Sequence, residues 1–114
     1  MPERNGNSES LGKGDVMLFI AEFGMHADKP EVFKAALEPH LEYLRNQKDA
    51  ILISATKSDP KSKKNEGFVW IIRAQDALEA DAICKCDPFW IAGLRTSFRL
   101  SVLTKALPDH IAEI

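Results

Sequence analysis

The sequence predicts a single α+β domain of ferredoxin-like type, with element order βαββαβ, an antiparallel sheet and its helices on one face. Two observations carry this expectation. Four runs of strand character, 16–24, 50–58, 68–74 and 95–107, are interleaved with two stretches of helical period, 30–47 and 76–86. The chain of 114 residues also has room for one hydrophobic core and not two. The expected domain covers 15–107. It is flanked by a disordered N-terminal tail (1–14) rich in Gly, Asn and Ser and by a short C-terminal tail (108–114).

The first strand, Val16 to Gly24, is β-branched and aromatic, and apolar enough on both sides to be central in a sheet. Phe33, Ala36, Leu37, His40, Leu41 and Leu44 then recur at helical spacing and form one stripe. Pro39 interrupts that stripe. Either the helix kinks there, or a short turn ends near Leu37 and the main helix starts with Pro39 at its first position. The second strand leads into a polar linker, 59–67, whose lysines Lys61, Lys63 and Lys64 are read with Lys57 as a solvated loop. After the third strand, Asp76-x-x-Glu79 is a capping box that opens the second helix, with Leu78, Ala82, Ile83 and Cys86 on one side. Asp87-Pro88 stops this helix and caps a brief turn that runs to Gly93. In the last strand Phe98, Leu100 and Val102 alternate with Arg99 and Ser101. Strands one and three are apolar at nearly every position, so the sheet face away from the helices also needs a cover. A second copy stacked face to face would supply it, and a homodimer is expected.

Composition bounds the function classes. Fifteen basic against seventeen acidic residues give a net charge of −2, without the basic excess of a nucleic-acid binder. The apolar runs fall far short of the ~20 residues that span a bilayer, and the amino terminus lacks the apolar stretch of a signal peptide. Cys84 and Cys86 stand one residue apart, a spacing that suits neither a shared metal site nor a bridge. Reduced thiols in a cytoplasmic protein are expected. No Gly-rich phosphate loop, metal-ligand spacing or nucleophile elbow occurs, so no metal and no cofactor is expected.

Two residues are candidates for chemistry. His40 edges the apolar stripe, where a backbone carbonyl could satisfy it. If Pro39 opens the helix, His40 instead sits near the positive end of the helix dipole, which favours a neutral ring able to accept a proton. Asp87 before Pro88 is by residue type a helix N-cap. The same carboxylate could orient a histidine and raise its basicity. His26 looks like an exposed loop residue, and His110 lies in the tail. The aromatic segments 18–23 and 67–72 fall where an RNA-recognition motif carries its stacking rings, with Gly67, Phe68 and Trp70 in place but Val69 replacing a small residue. A packed core explains those aromatics more simply, so nucleic acid is the least favoured partner.

The phrase Asp87-Pro88-Phe89-Trp90-Ile91-Ala92-Gly93-Leu94, ahead of a long last strand, resembles the D-P-[FY]-x-x-A-G-[LV] signature of the YciI-like family. Pro39-His40-Leu41-Glu42-Tyr43-Leu44 is similar to that family's histidine segment on helix one. This resemblance covers about 15–107 and implies a dimeric α+β barrel with a histidine and an aspartate lining a pocket, here His40 and Asp87. Some members act as dehydrochlorinases or related acid/base enzymes. The family usually carries Gly-Pro after strand two, where this chain has Ala55-Thr56-Lys57-Ser58-Asp59. The expected function is elimination or isomerisation of a small organic substrate, with His40 as general acid/base, Asp87 orienting it, and Trp70 and Phe89 lining the pocket. The alternative is a dimeric module that binds a small ligand without chemistry.

Overall fold

A computed structural model describes residues 16–107, so the two expected tails, 1–14 and 108–114, lie outside the described residues. The elements are β1 (Met17–Met25), α1 (Pro30–Asn46), β2 (Ile51–Ser58), β3 (Asn65–Ala74), α2 (Ala77–Lys85), α3 (Pro88–Ile91) and β4 (Arg95–Leu103). The sheet runs β2-β3-β1-β4, and every neighbouring pair is antiparallel. This is the α+β, ferredoxin-like arrangement. Strand β3 begins three residues earlier than its apolar run, because Asn65 and Gly67 pair with Ser58 and Lys57 and close a hairpin. The Asp59 carboxylate accepts from the amides of Lys61 and Ser62 in the loop between them.

Alternation places Phe19, Ala21 and Phe23 of β1 and Trp70, Ile72 and Ala74 of β3 on one face. There they pack with Ala80 and Cys84 of α2 and with Tyr43 and Leu44 of α1. The core face of α2 is therefore Ala80, Ile83 and Cys84, not the side expected from Leu78, which is 79% exposed. Small residues win this face because α2 lies close against the sheet. Asp76 caps α2 by accepting from the Glu79 amide at 2.8 Å, while Glu79 reaches back to the Gln75 amide. The Tyr43 hydroxyl donates to the Ile83 carbonyl at 2.6 Å and ties α1 to α2.

Helix α1 is continuous, with Pro39 in its interior. The version in which Pro39 starts the helix is thereby overturned, and with it the argument that a helix N-terminus acts on His40. Pro39 and Ala35 both lie on the exposed side of α1, where water can hydrate the carbonyl that proline leaves without a donor. Of the aromatics in the segments read as a base platform, Phe19, Phe23 and Trp70 are each under 5% exposed beneath the helices, and Phe68 is half-buried on the same face. The opposite face carries Leu18, Ile20, Val69 and Ile71, with Ile53 and Leu103 about 39% exposed, and the charged residues Glu22, Arg73 and Arg99 toward its ends.

Two β-bulges decide what points where. Between Ile51↔Ile72 and Ile53↔Ile71, β2 spends one extra residue, so Ile51 turns inward and Ile53 outward. Ser54 and Thr56, opposite Trp70 and Phe68, then face the helices. Between Phe23↔Phe98 and Met25↔Arg95, β4 spends the extra residue, and Arg95 joins Phe98 on the inner face. Gly24 sits in that bulge, where an added Cβ would collide with the Thr96 and Ser97 hydroxyls. Gly24→Val is expected to lower stability by about 1–3 kcal/mol, measured by urea denaturation with the far-ultraviolet spectrum unchanged in the folded baseline.

Candidate active site

Beneath α1, between it and the outer end of the sheet, lies a cavity of about 280 Å³. Its walls are mainly apolar and aromatic: Phe33 and the leucines of α1, Phe68 and Trp70 of β3, and Phe89 of α3. The polar groups are His40, Arg95 and the hydroxyl residues Ser54 and Thr56 that the first bulge turns inward. Phe33 and His40 stand two helical turns apart on one face of α1. His40 is 7% exposed.

Helix α3 brings the partner. Asp87 is its N-cap and accepts from the Phe89 amide at 3.2 Å. The same oxygen, Oδ1, accepts from His40 Nδ1 at 2.6 Å, so the structure brings together the two residues singled out in the sequence. The aspartate acts as cap and as partner at once, because its carboxylate has acceptor sites for both. Phe89, two residues on, lays its ring flat on the imidazole, with centroids 3.8 Å apart and an interplanar angle of 11°. Phe33 in turn stacks on Phe89 at 5.3 Å.

Oδ2 of Asp87 accepts from Arg95, at 2.9 Å from Nη2 and 3.3 Å from Nε. The guanidinium is sandwiched among rings, 4.3 Å from the Phe23 centroid and 5.4 Å from that of Phe89. Arg95 is absent from the sequence-derived candidates, since strict alternation back from Phe98 assigns it to the outer face with Arg99. Only the bulge reverses that assignment. The one sequence signal is its place, immediately after the Asp-Pro-Phe segment's closing Gly93-Leu94. His26 lies 3.6 Å from Asp28 on an exposed loop outside this constellation, and His110 is outside the described residues.

Asp87 is fully buried, and burial pushes its carboxyl up. The hydrogen bonds from His40 and Arg95, with the guanidinium charge, outweigh that and hold it below the usual carboxylate range. The site therefore carries an ionised aspartate, which can only accept from Nδ1, so of the two tautomers of the ring the one with its proton on Nδ1 and its lone pair on Nε2 is selected. Nearby, burial together with Cys86, Asp87 and Cys84 pushes the Tyr43 hydroxyl up to about 12. Burial, with Asp81 and Asp87, pushes the Cys84 thiol up to about 12. Both stay protonated, and both serve packing.

These features define a class: a ferredoxin-like α+β domain with a buried histidine–aspartate–arginine chain at the wall of a small aromatic cavity. Residues 17–103 match the YCII-related domain, and the chain belongs to that family. No curated protein matches it in sequence. Among solved structures, it is similar to the 5-chloro-2-hydroxyhydroquinone dehydrochlorinase of Burkholderia phenoliruptrix, solved in complex with 2,5-dihydroxybenzoquinone. The TM-score is 0.65 at 23% identity, over 77% of this chain and 94% of that one. It is also similar to a putative antibiotic biosynthesis monooxygenase from Bacteriodes thetaiotaomicron, with a TM-score of 0.51 at 12% identity, over 90% and 100% of the two chains. At these identities the likeness establishes the fold.

Because the folded-state value of Asp87 is depressed, its pairing stabilises fully above the unfolded carboxyl value of ~3.9 and is lost as pH falls through the folded value. Asp87→Asn, which strands the Arg95 charge, is expected to cost about 3–5 kcal/mol at pH 7. Denaturation midpoints of the two proteins should converge in acid; a constant gap down to the acid limit would contradict the pairing.

Proposed function

We propose that this chain is an acid/base enzyme that carries out an elimination or isomerisation on a small planar organic molecule, with His40 as the base and Asp87 as its orienting partner. One observation carries the reading: the 2.6 Å contact between His40 Nδ1 and a buried, ionised Asp87, at the wall of a cavity. Nε2 takes a proton from a substrate C–H or O–H, and the bonding pair moves onto a substrate oxygen. Return of that pair expels a leaving group with its electrons, which is elimination. Alternatively, the imidazolium returns the proton at a second atom, which is isomerisation. Asp87 remains a carboxylate throughout and stabilises the imidazolium.

The cavity supports a one-ring substrate. An apolar cavity near ~150 Å³ admits benzene, so about 280 Å³ leaves room for a ring with substituents. Trp70 and Phe89 line it and would flank that ring. Dehydrochlorination, named for the similar Burkholderia protein, is an elimination of this kind on a single ring. The half-buried apolar face of Leu18, Ile20, Val69 and Ile71 supports a homodimer joined sheet to sheet, with one cavity per chain on the far side. Free thiols at Cys84 and Cys86 are in keeping with a cytoplasmic location.

His40→Ala should lower kcat/KM by about 10²–10⁴-fold while ligand affinity stays within about tenfold. Halide release from chlorinated hydroxyhydroquinones, with calorimetric binding alongside, measures both. Binding without turnover in the wild type would make the chain a ligand-binding module instead. Ile71→Glu is expected to convert the dimer to a folded monomer in sedimentation equilibrium; a monomeric wild type at micromolar concentration would refute the dimer.

A further inference from the structure

Arg95 makes incomplete use of itself. Its side chain is 2% exposed, yet Nε and Nη2 both serve the same Asp87 oxygen. Among the described residues Nη1 has no hydrogen-bond partner, although a guanidinium carries five donors and a buried unpaired one is costly. Arg95 lines the cavity, and no aspartate or glutamate does. The charged group facing that space is therefore a cation; the Asp87 carboxylate 2.9 Å behind it offsets much of its charge, and the unpaired Nη1 is what it has left to offer a ligand.

From these facts we propose that Arg95 binds an anionic oxygen of the substrate, so that the site takes a planar ring bearing an ionised or ionisable hydroxyl, a phenol or enol. The inference rests on the acid/base reading for its catalytic meaning and names the substrate class of that site. Base and cation hang from opposite oxygens of one carboxylate, Oδ1 for His40 and Oδ2 for Arg95. A ring lying between Phe68, Trp70 and Phe89 can therefore lose a proton to Nε2 while the negative charge that develops on its oxygen rests against the guanidinium. That stabilisation is larger for the oxyanion than for the neutral hydroxyl, which is what speeds proton removal. Arg95 is on this account a catalytic residue as well as the group that holds Asp87.

The probe is 4-nitrophenol, whose phenolate is read by its own absorbance, titrated between mildly acid and mildly alkaline pH with and without the full-length protein. Bound probe should ionise at least about one pH unit below free probe, equivalent to about tenfold tighter binding of the phenolate. Arg95→Gln should remove that preference, and Arg95→Lys should restore part of it. In His40→Ala, which lacks the Nε2 that could itself take the phenol proton, a phenolate preference should remain; that remainder tests Arg95, and loss of turnover in the same variant tests the base. The inference is overturned if bound and free probe ionise at the same pH or if nothing binds at millimolar concentration. Folded Arg95→Gln that still prefers the phenolate, or loss of the preference in His40→Ala, overturns it as well. Should Arg95→Gln not fold, the shift in His40→Ala and the effect of Arg95→Lys decide.

Discussion

A carboxylate shut away from water holds this structure together at the end that carries the cavity. Asp87 accepts hydrogen bonds from three parts of the chain: the middle of α1 through His40, the first strand residue of β4 through Arg95, and its own short helix through the Phe89 amide. A buried charge of this kind is tolerable only when its acceptor sites are filled by good donors. Each donor must therefore stand where it does, and the elements that bring them inherit that requirement. Helix α3, four residues long, has little intrinsic stability; its cap, Phe89 and Leu94 in the core keep it folded.

The sheet supplies polar side chains to a face that should by pattern be wholly apolar. Each bulge shifts the side-chain phase of one strand by one position. The first turns Ser54 and Thr56 under the helices, and the second does the same for Arg95. Between the bulges the ordinary alternation of β1 and β3 builds a dry core of Phe19, Trp70 and Ile72. The dry core and the cavity thus use the same face of the sheet, separated along the strands.

Much of this arrangement is legible in the sequence because it depends on local rules. Element order, the Asp76 cap and the Asp87-Pro88 stop follow from turn chemistry and periodicity, and the apolar second face follows from β1 and β3 lacking polar alternation. The features that escape it are those where one residue shifts phase or one rule is overridden. Arg95 reads as an outward charge until β4 bulges. Pro39 reads as a possible helix start, yet α1 runs through it because the lost hydrogen bond falls on the wet side. Leu78 reads as core, but close packing of α2 against the sheet selects alanine and cysteine there instead. That His40 and Asp87, 47 positions apart in the sequence, meet is a tertiary fact, which local rules do not encode.

The flat contact of Phe89 on His40 has a stereochemical consequence. With one ring face covered at 3.8 Å and Nδ1 tethered to Asp87, the imidazole is not free to turn over and exchange its two nitrogens. On the acid/base reading a single nitrogen then both removes and delivers the proton, from one side of the substrate plane. An isomerisation in this cavity would be suprafacial. A deuterium lifted from one carbon would reappear in part on another within the same molecule, to the extent that transfer outruns exchange with solvent.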